Sequence, residues 1–435
     1  MGLVPNPSAS GVILSPLRKR RADLFMTAVV LAAIGLPFLL APVRAQILGP
    51  AGRGEFAFFQ STLTIMAAAA NSGIRLAYYQ SRTSGARRFS ARILPTLGCS
   101  FLASLAVCVP AALIGQNNFS GALAIFVLSC SLLAPGYAIL QVEAANAQLV
   151  GRRTLVAGVT VVPSTVEFLG NIGLLLLHTL TVASAIVTTF AAEIAKSSMA
   201  LVARARDRKA LDSPVYRDRA LSRNLTRLSF RYAPTTAAPI LAGNIDVFIF
   251  AIFLPAGEIG FYAVAKLGYT VMILLGVTFE GLTISTLEKN GLRGVVKKIL
   301  GFGFLLAGAL GLAGTLLIPP LFGSAFEPAA FAFPIGATAG FFAYTFVTLS
   351  TVASRTGRGN ATLFSAGMLL AAVIVGCVGV SFVPNVGVLL MALALTFAQL
   401  VGVIAVLLNI RSSRILIPVI SRTLEPAPID EGQSR

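Results

Sequence analysis

Residues 204–231 read RARDRKALDSPVYRDRALSRNLTRLSFR and lie almost at the middle of the 435-residue chain. Nine Lys or Arg side chains stand there against three Asp. A run so charged and so poor in large apolar groups belongs in water rather than in a packed core. It reads as a solvated linker, and two hydrophobic halves flank it.

Composition says what those halves are. With 56% hydrophobic side chains and 11% charged, and a mean hydropathy of +0.85, the chain lacks the polar surface that a water-soluble globule needs. It is expected to be an all-α polytopic membrane protein. The formal charge of +18 does not indicate nucleic-acid binding, because the basic residues sit in short gaps between apolar runs rather than on a folded polar face. The four cysteines all lie inside apolar runs without CxxC spacing. They predict neither a disulfide nor a metal site, and no cofactor is expected.

A membrane span needs about 20 apolar residues. Six such runs precede the linker, at 23–43, 56–74, 93–114, 122–144, 155–177 and 181–202, and six follow it, at 232–254, 261–283, 299–318, 330–352, 361–380 and 386–408. The first follows Arg18-Lys19-Arg20-Arg21 and is too long for the apolar region of a signal peptide, so it is taken as an uncleaved span. Placing the N-terminus inside puts almost every Lys and Arg of the connections on the cytoplasmic side, as the positive-inside rule requires. Only Arg44 and Arg53 fall outside, in a connection at 44–55. The domain expectation is therefore a tail at 1–22, a six-helix lobe at 23–203, the linker at 204–231, a second six-helix lobe at 232–410 and a tail at 411–435, with both termini cytoplasmic. The predicted outer connections are too short to hold an extramembrane catalytic domain.

The halves also repeat. Pro50-Ala51-Gly52 followed by Phe56-Ala57 recurs as Pro255-Ala256-Gly257 followed by Tyr262-Ala263, Gly151-Arg152 recurs as Gly357-Arg358, and Tyr137 matches Tyr344, all at offsets of 205 to 207. Six spans per half gives both halves the same orientation, so an axis along the membrane normal should relate them.

The run Leu48-Gly49-Pro50-Ala51-Gly52-Arg53-Gly54-Glu55-Phe56-Ala57, together with Asn71-Ser72-Gly73-Ile74, Asp246 and the turn Gly257-Glu258-Ile259-Gly260-Phe261-Tyr262-Ala263, resembles the bacterial polysaccharide and O-antigen flippases. These belong to the multidrug/oligosaccharidyl-lipid/polysaccharide (MOP) exporter superfamily. The resemblance implies two six-helix lobes in a V around a central cavity, in a multi-pass protein of the bacterial inner membrane. By the same analogy the cargo is an undecaprenyl-diphosphate-linked oligosaccharide used in polysaccharide or lipopolysaccharide biosynthesis. The implied partners are that lipid-linked glycan, membrane lipids, a coupling proton or sodium ion, and a polysaccharide polymerase and glycosyltransferases acting on either side of the step.

Ionisable residues inside spans are costly, so each is a candidate for function. Asp246 and Lys266 lie at similar depth in adjacent spans and form either a structural ion pair or a contact for a coupling ion or pyrophosphate. Glu167 lies near the middle of its span without an oppositely charged neighbour on the same helix. It is either a proton or cation site in the cavity or the partner of a basic residue elsewhere. Arg75 closes the second span on the cytoplasmic side, as a topology anchor or as the first contact of an incoming diphosphate. Glu193 and Lys196, three apart on one helix, are placed to neutralise each other, and Glu143 and Glu280 are expected at the interface. Prolines 37, 135, 163, 239 and 334 fall within spans, where each removes a backbone donor and can bend its helix.

Two other functions are weighed against the flippase. A MATE-type multidrug and cation antiporter shares the two-lobe plan, and a glycan polymerase or glycosyltransferase is the enzyme alternative. An enzyme needs a general base or metal-binding carboxylates at a wet site, yet the single His is His178, in a three-residue turn. No catalytic residue is therefore assigned. No G-x-x-x-x-G-K-[ST] run occurs, so nothing in the sequence predicts ATP hydrolysis.

Overall fold

The computed structural model describes residues 16–71, 73, 94–150, 153–211, 237–238, 240–355, 359–384 and 386–412. Among these the chain is helical, without strands. The first half contains α1 (Pro16–Asn71), α2 (Leu94–Asn118), α3 (Gly121–Cys130), α4 (Ala134–Val150), α5 (Arg153–Leu176) and α6 (Val182–Leu211). The second contains α7 (Ile245–Phe253), α8 (Ala256–Ala265), α9 (Leu267–Phe322), α10 (Glu327–Arg355), α11 (Gly359–Ser381) and α12 (Val388–Ser412). Each predicted apolar run lies on one or two of these helices wherever it is described, as it must if the backbone is to satisfy its hydrogen bonds within the hydrocarbon. Among the described residues seven helical segments are long and apolar enough to cross a membrane by length and composition, and two shorter ones, Val161–Leu176 and Ile240–Phe253, are apolar as well.

Two helices are longer than any bilayer is thick, and both fold back on themselves. In α1 the break is at Gly49, whose φ of 67° and ψ of 178° are not helical. That φ is in the left-handed region, which glycine enters without steric cost. Pro37 and Thr64 then line one cavity, although a straight helix would hold them about 40 Å apart. In α9, Met272 and Gly303 pack at the adjacent residues Gly340 and Phe341 of α10, where a straight helix would separate them by about 45 Å. Each of these helices is therefore a hairpin of two limbs, which is why two predicted spans share one helix in both places.

The expected connection at 44–55 is corrected by this finding. It is helical apart from Gly49, so Arg44 and Arg53 are carried on the two limbs of α1 and buried between them and their neighbours. A shorter connection behaves as predicted. His178 takes a φ of 54°, and the His178 and Thr179 N–H groups donate back to the Leu175 and Leu174 carbonyls. The helix stops there, because those bonds satisfy carbonyls that its last turn would leave open. The next helix begins with reciprocal bonds in which the Ser184 N–H donates to Thr181 Oγ1 and the Thr181 N–H donates to Ser184 Oγ, in the manner of a capping box.

Packing inside the second half depends on small residues. A methyl group added to Gly336 would lie 2.4 Å from the Ala265 carbonyl oxygen, and one on Gly340 2.7 Å from the Tyr269 carbonyl oxygen. This Gly-x-x-x-Gly face lets α10 lie backbone to backbone against α8 and the start of α9. Large apolar side chains such as Leu132, Leu305, Leu312, Val375 and Phe397 point outward and are exposed, which is the surface that lipid requires. The linker begins within α6, which continues to Leu211. The rest of the linker lies outside the described residues, as do both expected tails beyond Pro16 and Ser412, Pro239 and Arg75.

Candidate functional site between the two halves

A cavity of about 330 Å³ lies where the halves meet. The limbs of α1 contribute Phe38, Ala41, Arg44, Arg53, Ala57, Gln60, Ser61 and Thr64, helices α5 and α6 contribute Glu167, Thr189 and Glu193, and the second half contributes Asn244, Val247, Ala263, Lys266, Leu267 and Thr270. Every one of those six second-half residues has a counterpart 206 positions earlier that also lines the cavity: Phe38, Ala41, Ala57, Gln60, Ser61 and Thr64. The Thr64 hydroxyl donates to the Gln60 carbonyl, and the Thr270 hydroxyl donates likewise to the Lys266 carbonyl. The repeat seen in sequence is thus a repeat in space, and its axis passes through the cavity.

Charge departs from that symmetry. Asp246, in the first turn of α7, is fully buried. Its Oδ1 takes Lys266 Nζ at 2.7 Å and its own neighbour's N–H, from Val247, at 2.8 Å, while Tyr262 donates its hydroxyl to Oδ2. Lys266 lies near the rings of Tyr262 and Tyr269 as well. The two residues that depth alone had placed together are therefore paired, and Lys266 is the member that reaches the cavity. Counterparts of the pair are Leu40 and Gln60, which carry no charge.

Glu167 finds its basic partner on another helix. Arg44 Nη1 lies 2.8 Å from Glu167 Oε1, the Thr189 hydroxyl approaches the same oxygen at 3.4 Å, and Arg44 Nη2 donates to the Pro37 carbonyl at 3.4 Å. Glu167 is thus paired with a basic residue on another helix and lines the cavity as well. Glu193 is held by Lys196 at 3.1 Å, on its own helix, and accepts the Tyr137 hydroxyl. Glu143, expected near the interface, is buried among its neighbours.

Arg53 has no such partner. It is 4% exposed, its Nε and Nη1 are buried without a hydrogen bond, and among the described residues no carboxylate forms an ion pair with it. Its guanidinium lies 5.6 Å from the centre of the Phe56 ring, whose centre is 4.7 Å from the Arg44 guanidinium. Of the cations lining the cavity, Arg44 and Lys266 are each matched by a carboxylate, and Glu193 by Lys196. Among the described residues Arg53 is left as the cavity cation without an ion-pair partner. Sequence reasoning missed both arginines as site residues by assigning them to a loop. The signal was present all the same, since they were the two exceptions to the charge rule that otherwise ordered the whole chain.

Two helical halves about an axis, a cavity on that axis and an apolar exterior define a multi-pass membrane protein built from a repeat. The chain belongs to the Polysaccharide biosynthesis protein family, whose model matches residues 22–283. Among solved structures it is similar to the lipid II flippase MurJ in an inward closed conformation, with a TM-score of 0.67 and 15% identity over 90% of this chain and 87% of that one. It is also similar to a MATE-family multidrug resistance transporter of the MOP superfamily. The inward-facing conformation gives a TM-score of 0.59 and 12% identity over 89% of this chain and 98% of that one, and the outward-facing conformation gives 0.57 and 12% over 89% and 93%. At such identities the likeness establishes the fold. No curated protein matches the chain. The fold is the one that these flippase and multidrug-transporter structures share.

Proposed function

We propose that the chain is a flippase that moves an undecaprenyl-diphosphate-linked oligosaccharide across the bacterial inner membrane for polysaccharide biosynthesis. The observation that carries this reading is Arg53, a buried guanidinium with unpartnered donors, facing a cavity between the halves whose other charges are matched. An unpaired charge in a poorly solvated place is expensive unless a ligand of opposite sign completes it. A diphosphate does so with charge-assisted hydrogen bonds, whereas a cationic drug would add like charge. In this reading the chain crosses the membrane twelve times with both termini cytoplasmic. Arg75, at the cytoplasmic end of the second span, lies on the entry side. The halves alternate access to the cavity, driven by the cargo gradient or by a proton or sodium gradient. Glycosyltransferases supply the cargo and a polymerase consumes it.

The test is binding to the purified protein, with a polyprenyl diphosphate and tetraphenylphosphonium as probes. Arg53→Ala is expected to weaken polyprenyl diphosphate binding about 10- to 100-fold, the worth of hydrogen bonds to a charged group, and Arg53→Lys to restore part of it. Tighter binding of tetraphenylphosphonium, insensitive to Arg53→Ala, would overturn the flippase in favour of a MATE-type cation exporter.

A further inference from the structure

At one crossing the two halves approach each other by backbone alone. A methyl group on Gly54 would lie 1.9 Å from the Ala256 carbonyl oxygen, and one on Gly260 would lie 1.9 Å from the Pro50 carbonyl oxygen. Pro50 and Ala256 lie 206 positions apart, and so do Gly54 and Gly260. The contact is therefore self-complementary: each half presents a glycine and a carbonyl, and each glycine meets the other half's carbonyl. Such crossings bring Cα hydrogens onto carbonyl oxygens and tolerate no side chain between them.

Their position gives these glycines a role. Three residues beyond Gly54 and Gly260 on their helices come Ala57 and Ala263, both of which line the cavity. The crossing is therefore a roof, one helical turn above the site, on the side that the topology places outside. Two other ties join the halves nearby: Asn118 Nδ2 donates to the Ala251 carbonyl at 2.8 Å, and Gln46 Nε2 donates to the Leu321 carbonyl at 2.8 Å. Phe58 and Phe248 also pack ring to ring, 5.0 Å apart.

We infer that the Gly54–Gly260 crossing is the outer closure of the cavity, a joint that must come apart before the cavity opens on that side. At the crossing itself glycines meet carbonyls, with no side chain between the two backbones. Any side chain on either glycine wedges it open. The joint does not depend on which cargo the cavity takes.

Thr64→Cys, facing the cavity, is the reporter, in a background where Cys99, Cys108, Cys130 and Cys377 are replaced by alanine. A membrane-impermeant maleimide is applied to the outer face of intact cells and, separately, to the cytoplasmic face of inverted vesicles. Gly54→Ala and Gly260→Ala should each raise outer labelling several-fold and lower inner labelling, and the double variant should add little, because the two glycines form one joint. Folded variants with labelling unchanged on both sides would overturn the inference. Labelling that rises on both sides marks a misfolded protein, and the question then passes to Asn118→Ala, which cuts a neighbouring tie and leaves the glycines in place. Spin labels at Ala51, which is exposed, and Gly257, which has open space around it, flank the crossing. A second, longer distance population in Asn118→Ala supports a joint, and a single unchanged short distance shows a fixed weld and ends the proposal.

Discussion

Asp246 illustrates how a carboxylate is kept inside a membrane protein. Three donors from three residues surround its two oxygens, so its cost is met by neighbours rather than by water. Removing Lys266 alone leaves a lone buried anion, and removing Asp246 alone leaves a lone cation at the cavity wall. Each of Asp246→Ala and Lys266→Ala is expected to cost about 3–5 kcal/mol, and the double variant less than either. The chain has no Trp, so unfolding is best followed by heating with a thiol-reactive dye that reports exposure of the buried Cys108, Cys130 and Cys377. Equal losses in all three variants would show that the pair is not a unit. This pair was legible in the sequence because depth can be counted from the end of a span at a fixed rise per residue. The Arg44–Glu167 pair was not, because it joins helices far apart in sequence and counting along one helix says nothing about which helix lies beside it.

At the scale of elements, apolar runs gave the helices and the placing of glycines decides how they fit. Gly336 and Gly308 differ in what surrounds them: the first lies against the Ala265 carbonyl, and the second has nothing within 4 Å of where a methyl would go. Gly336→Ala is accordingly expected to lower the melting temperature measured with the same dye. Gly308→Ala should leave it unchanged or raise it, since alanine is the better helix former by about 0.5–1 kcal/mol in an open helical position. A matching loss at both sites would mean that helix propensity rather than close packing sets stability here. Hairpins inside α1 and α9 could not be read from hydropathy, which marks where the chain is apolar and does not show whether a connection unwinds. The charged Arg44 and Arg53 looked like loop residues for the same reason: a cavity shelters charge within helices, and composition cannot distinguish a cavity from water.

For the whole molecule, the proposed twelve-span arrangement makes a directional prediction. Single cysteines replacing Gln116 or Glu327 should label from outside, and those replacing Arg87 or Asp212 should label only after the cytoplasmic face is opened. Outer labelling at Asp212 would invert or break the topology. The basic linker that first divided the sequence is expected to act as a tether, so halves expressed as separate chains cut near Asp212 should still assemble, as judged by co-purification. A cavity on a two-fold axis duplicates whatever lines it. Two identical first halves meeting as these halves meet would bring two copies of Arg44 and two of Arg53 around one small space and no Lys266 at all. In this chain the counterparts of those residues are Phe250, Ile259 and Gln60. Joining both halves in one polypeptide is what lets each side of the axis carry a different residue, so that a symmetric frame encloses a cavity whose lining is not symmetric.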